Sequence, residues 1–364
     1  MKIAIFGTRG IPNYHGGFEQ FADFFAVYLA QQGEEVYVYN SSLHPYKEQE
    51  YKGVKLIHCK DPEDKLGTAG QFIYDLNCIL DARKRNFDII LQLGYTSSTI
   101  WWWLMPKKAK IITNMDGLEW KRSKYSKKVQ TFLKYAEKLG AKHSDHLISD
   151  SLGIQTYLKN KYQKDSTYIA YGADVFEHPN EEVLSKYQLE KEKYCMLIAR
   201  FEPENNLEMI LDGVAKSDGK EPFLVVGKHE TDFGDYLKSK FESYVNIRFV
   251  GGIYNLQELN NLRHFSRLYF HGHSVGGTNP SLLEAMASNC LICAHRNEFN
   301  AGVLKENAFY FSTSDEVKEL YRKLKKENHQ NLIEQNKKAI ETEFSWSIIN
   351  KAYYDLLRQQ MDGK

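Results

Sequence analysis

The sequence predicts an α/β protein made of two doubly wound, Rossmann-like domains. Short, continuously apolar runs alternate with segments whose apolar residues recur at helical spacing, and this alternation occurs twice, with a charged stretch between the two series. The chain of 364 residues also exceeds one ordinary core, since domains usually hold about 100–200 residues. A composition of 42% hydrophobic, 26% charged and 13% aromatic residues is apolar enough to exclude wholesale disorder.

The first series opens at 2–6, where Ile3, Ala4, Ile5 and Phe6 form an uninterrupted apolar run ended by Gly7. Such a run suits a strand covered on both faces, as in a parallel sheet. A glycine-rich loop follows. Phe18, Phe21, Ala22, Phe25 and Leu29 then mark a helix over 18–32, with Gly33 as its stop. Further strands are expected at 36–39, 54–58, 88–93, 110–113, 146–149 and 167–170. The charged segment 176–192 reads as a linker between a first domain, 1–175, and a second, 193–343. The second series places strands at 194–199, 223–226, 247–250, 267–271, 291–294 and 309–311, with helices at 206–216, 256–264 and 280–287. A last helix follows within 344–364.

Charge and cysteine usage narrow the function classes. With 48 Lys+Arg against 47 Asp+Glu the net charge is +1, which disfavours a dedicated nucleic-acid binder. Five scattered cysteines fit a reducing compartment, and Cys290 and Cys293 lie in an apolar run expected as buried strand. The first strand begins at residue 2, leaving no room for a signal peptide, and no apolar run reaches membrane-spanning length. A cytoplasmic setting is expected. His143 and His146 have a metal-ligand spacing but lack partners, so no metal is expected.

In doubly wound folds, ligands sit at the carboxyl ends of strands. The first loop, Gly7 to Gly17, is not Gly-x-Gly-x-x-Gly, and the second strand ends at Asn40 rather than at an acidic residue. Those features argue against a dinucleotide site, and no Gly-x-x-x-x-Gly-Lys-Ser/Thr loop exists for a P-loop. Gly16 and Gly17 stand directly before a helix, where free N–H groups and the helix dipole favour an anion; the competing reading is a tight turn. In the second series, Gly276, Gly277, Thr278, Asn279 and Ser281 again bring a glycine loop to a helix start. Glu284, one turn into that helix, is placed to accept hydroxyl bonds from a ribose, or else is a dipole-favoured surface carboxylate. Arg200, just after the first strand of this series, offers a fork of donors to phosphate, or else a structural ion pair.

With these residues in view, the sequence resembles the GT-B glycosyltransferases of family GT4, in the subgroup of bacterial rhamnosyltransferases with an amino-terminal DUF1972 domain. The matching stretches are Gly7-Thr8-Arg9-Gly10-Ile11-Pro12 with His15-Gly16-Gly17-Phe18-Glu19, Asn114 to Trp120, Tyr171-Gly172-Ala173-Asp174, Arg200 to Asn205, and His273 to Met286. The closing Phe344-Ser345-Trp346 helix matches too. The resemblance covers essentially the whole chain. It implies two domains facing across a cleft, the last helix crossing back to the first domain, and retaining transfer of a sugar from a nucleotide diphosphate. The donor would lie mainly on the second domain and the acceptor on the first. Arg200 would contact the diphosphate, the loop from Gly276 to Ser281 would present amides, and Glu284 would bind ribose. Ile253 would meet the base, and Gly16 and Gly17 would close over the phosphates.

The sequence departs from the family in three places. A lysine that many relatives carry five residues after the arginine is Asn205 here, and amides or Lys228 are expected to replace part of its charge. A glutamate that relatives carry eight residues before the ribose-binding one is Gly276, which makes a 6-deoxy-L-hexose donor such as dTDP-L-rhamnose easier to accept. The histidine of a Thr-x-His-Asp stretch is Met115, leaving Asp116. Asp116 and Asp150 both follow strands of the first domain and are candidates to orient or deprotonate an acceptor hydroxyl; the alternative is loop or helix-cap aspartates. With front-face attack the leaving phosphate takes the proton, so no enzymic nucleophile is named. No Asp-x-Asp pair exists, and no metal or other cofactor is called for beyond the donor itself.

Residues 107–142 hold 11 Lys+Arg and three acidic residues, among them Lys121, Arg122, Lys124, Lys127 and Lys128. Just before them stand Trp101 and Trp102. Basic charge beside aromatic bulk suits an anionic membrane surface at the inner face of the cell membrane and a lipid-linked acceptor; the alternative is a solvated helix face beside buried tryptophans. The resemblance implies a cell-surface glycan assembled on undecaprenyl diphosphate as acceptor, and no nucleic-acid partner. The readings in competition are a transferase using a UDP-hexose or UDP-N-acetylhexosamine, a nucleotide-sugar isomerase on the same scaffold, and a non-catalytic sugar-nucleotide-binding protein.

Overall fold

Fourteen strands form two sheets in the computed structural model, which describes residues 1–14, 16–122 and 124–362. His15 of the glycine loop, Ser123 of the basic run and residues 363–364 lie outside the described residues. The first sheet contains β1 (Lys2–Phe6), β2 (Glu35–Ser41), β3 (Glu50–Tyr51), β4 (Val54–Cys59), β5 (Ile89–Leu93), β6 (Lys110–Asn114), β7 (His146–Ser149) and β8 (Thr167–Tyr168). Its order is β3-β4-β2-β1-β5-β6-β7-β8, parallel throughout except for the β3–β4 pair. That edge hairpin has no counterpart in the sequence reading.

The second sheet contains β9 (Cys195–Ile198), β10 (Phe223–Val226), β11 (Ile247–Gly251), β12 (Leu268–His271), β13 (Ile292–His295) and β14 (Phe309–Phe311), in the order β11-β10-β9-β12-β13-β14. All of its pairings are parallel. Every β5 and β10 residue is buried, as strands sandwiched between helices require. The fold class is therefore the expected α/β, with two doubly wound units.

The chain folds as two compact units: a first, Met1–Lys121 with Tyr125–Tyr171 and Trp346–Lys364, and a second, Arg122–Lys124 with Gly172–Ser345. The last helix, Trp346–Asp362, thus belongs to the first unit as expected. It packs on the helix Gly17–Gln31 through an aromatic seam: Trp346 stacks on Phe24 at 4.5 Å, and Tyr353 lies 4.6 Å from Phe21. Such pairs contribute about 0.5–1.5 kcal/mol each beyond area burial.

The stretch read as a linker differs from that expectation. It carries a helical turn, Val183–Lys186, and buries Leu184 and Leu189, so two apolar side chains tie it into the second unit. All five cysteines are buried and free. Among the described residues no helix is long and apolar enough to cross a membrane.

Candidate functional site

In the second unit the strand order reverses between β9 and β12, the place where doubly wound sheets open a crevice at their carboxyl ends. Arg200 leaves β9 and the loop 272–279 leaves β12, so the predicted cation and glycine loop meet at that switch point. Arg200 is exposed, and among the described residues its guanidinium makes no hydrogen bond or ion pair. Lys228, just past neighbouring β10, is likewise exposed and, among the described residues, without an ion partner. Two cations at adjacent strand ends, neither neutralised by protein, suit a diphosphate.

Backbone-directed side chains fix the surrounding loops. Asn205 is 2% exposed and donates from Nδ2 to the Arg200 carbonyl at 2.8 Å. Asn205 is therefore a clip that shapes the arginine loop. The Ser274 amide and hydroxyl both donate to the Glu204 carbonyl, at 3.1 and 2.7 Å. The His273 carbonyl accepts from Asn297 Nδ2 and Asn300 Nδ2, each at 3.0 Å. The His271 and His273 rings stack at 4.4 Å beneath the loop. Burial, with Arg200 and Arg122 nearby, pushes His273 down to about 3, and burial lowers His271 as well, so the stack is neutral at physiological pH.

Gly276 has a φ of +133°, and a Cβ there would meet nothing within 4 Å. Its glycine answers a backbone requirement, and the space beside its Cα is open. Gly277 and the buried Thr278 continue the loop, and the Asn279 side chain caps the helix Pro280–Ala287. That cap corrects one expectation. The Ser281 amide donates to Asn279 Oδ1 at 2.9 Å, and its hydroxyl bonds Arg263 and Tyr269, so Ser281 is committed internally. Pro280 has no N–H and Leu282 N donates to the Asn279 carbonyl, so the amides for an anion must come from the glycine loop itself.

Glu284 is partly buried, with Oε2 2.6 Å from Arg263 Nη2, whose side chain is wholly buried. It is an oriented carboxylate, one oxygen of which the arginine holds. Ile253 is half-buried in the loop after β11. Arg122 and Lys124 correct the basic-surface expectation. They belong to the second unit, where Arg122 Nη1 lies 3.8 Å from the buried Glu204 and Lys124 Nζ 2.8 Å from Glu202. Ion pairing to partners far along the chain, and not a free cationic face, accounts for their charge.

The first unit's glycine loop is built differently. Gly10 has a φ of +124°, and an added Cβ would fall 2.4 Å from the Asn40 side chain. Asn40, fully buried, accepts from Ile11 N at 3.2 Å and donates to its carbonyl at 2.8 Å. Arg9 is clamped by Glu63 at 3.0 and 2.6 Å. Gly16 caps the helix starting at Gly17, whose carbonyl accepts from Tyr171 OH at 2.6 Å. A Cβ on Gly16 would meet only Glu19, at 3.6 Å, so no internal crowding demands glycine there.

Asp116 and Asp150 follow β6 and β7, and neither is a helix cap. Asn114 Oδ1 accepts the Asp116 amide at 3.0 Å, while Asn114 Nδ2 donates to Tyr353 OH at 2.9 Å. The last helix therefore orients the Asp116 turn. Burial pushes the Tyr353 phenol up, and the charges of Asp150 and Asp116 push it further. Trp120 braces the far end of this loop, donating from Nε1 to Glu137 Oε2 at 2.9 Å. Glu137, 1% exposed, also accepts from Tyr157, Tyr162 and Lys161.

On the basic segment, Lys121, Lys127 and Lys128 are exposed, the last two in the first turn of the helix Lys127–His143, where the helix dipole disfavours cations. Trp101 is half-buried and donates to the Phe72 carbonyl at 3.0 Å, whereas Trp102 is 40% exposed and stacks on His143 at 3.6 Å. His146 bonds Thr167 Oγ1. Among the described residues no group of His, Cys, Asp or Glu could hold a metal ion.

Residues 1–174 match the family model described as a domain of unknown function, DUF1972, and residues 180–343 match the model for glycosyl transferases group 1. No curated protein matches the chain. Among solved structures, the chain superposes on sucrose-phosphate synthase from Thermosynechococcus elongatus with a TM-score of 0.81, 15% identity and full coverage of both chains. HepE of Anabaena, in complex with UDP and glucose, gives a TM-score of 0.75 at 15% identity, covering 99% of this chain and 100% of that one. The α,α-trehalose 6-phosphate synthase of Burkholderia multivorans gives 0.71 at 11% identity, covering 100% and 99%. The second half of the chain thus matches the group 1 glycosyl transferase model, and the chain shares its fold along its whole length with these proteins.

Proposed function

We propose that the protein moves L-rhamnose from dTDP-L-rhamnose, with retention, onto a lipid-linked glycan acceptor in the synthesis of a bacterial cell-surface polysaccharide. The observation that carries the donor half is the pair Arg200 and Lys228, two cations that have no ion partner among the described residues, at adjacent strand ends beside the Gly276 loop. The diphosphate lies on these cations and the loop amides, Glu284 holds the ribose, and Ile253 meets the base. The open space at Gly276 favours a sugar that needs no carboxylate there. The acceptor hydroxyl arrives at Asp116 and Asp150, and the departing phosphate takes its proton. Exposed Trp102, Lys121, Lys127 and Lys128 support a peripheral contact with an anionic membrane face. No metal or further cofactor takes part.

A second reading, a UDP-sugar donor, is favoured by the likeness to HepE, whose solved complexes contain UDP and UDP-glucose. Incubation with each radiolabelled donor decides between them. Cleavage of dTDP-rhamnose in preference to UDP-glucose is expected; turnover of the UDP-sugar alone overturns the rhamnosyl assignment.

A further inference from the structure

The second unit holds a cavity that none of the steps above uses. Its volume is about 430 Å³, ample for a small molecule, and it is lined by residues at the amino ends of β9, β10 and β12. Arg200 and the Gly276 loop follow the opposite ends of β9 and β12, strands of four residues that each span about 13 Å. A ligand in this cavity therefore leaves the Arg200 crevice free.

One wall is closed on itself. The Arg267 guanidinium lies 5.2 Å from the Tyr321 ring and donates from Nε to Glu221 Oε2 at 2.8 Å. It also donates to the carbonyls of Leu324 at 2.7 Å and Tyr321 at 3.1 Å. Those carbonyls stand at the end of the helix Ser314–Lys323, so the arginine takes up the negative end of that helix's dipole. Tyr321 OH donates to the Glu221 carbonyl at 3.0 Å, and a Cβ on Gly219 would fall 2.4 Å from Tyr321 Cε1. This wall is preformed and its charges are balanced.

The rest of the lining carries charge that the protein leaves unmatched. Lys326 is 2% exposed, and its Nζ donates to the carbonyls of His264 at 2.6 Å and Ser266 at 3.1 Å. One of its three N–H groups has no partner among the described residues, and no carboxylate among them forms an ion pair with it. Glu192 and Lys191 act on it in opposite senses, and burial lowers its affinity for a proton. A buried ammonium held by carbonyls alone is costly, and an anion in the cavity would offset that cost. Arg322 and Lys325 line the same cavity, exposed and without an ion partner among the described residues. The carboxylates of Glu192 and Glu327 are likewise unpaired. Three open cations suit a phosphate monoester, and two open carboxylates beside them suit hydroxyl groups.

We propose that this cavity binds a sugar phosphate, with the phosphate on Arg322, Lys325 and Lys326 and the sugar hydroxyls on Glu192 and Glu327. The site is independent of the rhamnosyl-transfer reading and would be occupied beside the nucleotide.

Calorimetry on the full chain tests this, with glucose 6-phosphate, glucose 1-phosphate, glucose and inorganic phosphate as probes, each with and without saturating UDP or dTDP. Wild type is expected to bind at least one sugar phosphate, more tightly than inorganic phosphate, and to bind no glucose. Nucleotide should leave that affinity within a few-fold. Arg322→Ala and Lys325→Ala, at exposed positions, should each weaken the sugar phosphate about tenfold with Tm unchanged, the loss of one charge-assisted contact. Lys326→Met should weaken it further and keep or raise Tm, because it removes a buried charge. No sugar phosphate bound by wild type, or equal binding by all three variants, overturns the proposal. So does displacement of the sugar phosphate by nucleotide, which would put both in the Arg200 crevice. Inorganic phosphate bound as tightly as the sugar phosphates overturns the role given to Glu192 and Glu327.

Discussion

Arg9 and Arg200 occupy equivalent places, each in the loop after the first strand of its own parallel sheet, yet their surroundings are opposite. Arg9 is held by both oxygens of Glu63, and a glutamate accepts its amide as well. Arg200 is exposed with no ion partner among the described residues. A fold that neutralises one arginine and leaves its counterpart open supports the proposed placement of the anionic substrate on the second unit. The first unit keeps the complementary inventory: carboxylates and amide oxygens at strand ends, suited to hydroxyl donors. The repeated topology supplies two crevices, and side-chain pairing decides what each can hold.

Asp116→Asn sharpens this contrast most. If the first unit orients the acceptor hydroxyl, turnover should fall about 10²-fold, the usual cost of misplacing a reacting group, while nucleotide affinity stays at the wild-type value. Calorimetry beside a transfer assay reads both; a matched loss of nucleotide binding would break the division of labour.

A smaller effect separates the units through pH. The folded-state value of about 7 for Asp75 lies above the ordinary 3.8, so its contribution to stability is full below about pH 4 and lost as the pH rises through about 7. The loss amounts to at most roughly 4 kcal/mol, at about 1.4 kcal/mol per unit. Tm measured between these limits should fall with pH more steeply in wild type than in Asp75→Asn. Equal slopes would mean that the carboxyl is better solvated than its burial indicates.

Much of this organisation is legible in the residues. Apolar runs such as Ile3–Phe6 can only be strands covered on both faces, and glycine loops before helices mark the strand ends that matter. Trp346 and the Phe21, Phe24 and Phe25 cluster each carry more aromatic surface than a helix on a sheet requires, and they meet along the seam between the first and last helices. Pairing across long separations is not legible. Arg122 and Lys124 look like part of a basic patch until Glu204 and Glu202, about 80 residues away, are seen to neutralise them. Ser281 looks like an amide donor until Asn279 caps it. Asp75 passes as an ordinary helical aspartate, because nothing in its neighbours along the chain signals that it is buried with the Ser97 hydroxyl on it.

The central claim, that the second unit holds the nucleotide diphosphate through a cation the fold leaves open, is tested most directly by titrating UDP and dTDP into wild type, Arg200→Ala and Arg9→Ala. Loss of the Arg200 fork, worth about 1.5–3 kcal/mol for a charge-assisted contact, should weaken binding about 10–100-fold. Arg9→Ala should leave affinity within a few-fold of wild type and lower Tm instead. The reverse pattern, with Arg9→Ala losing nucleotide and Arg200→Ala retaining it, would contradict the account.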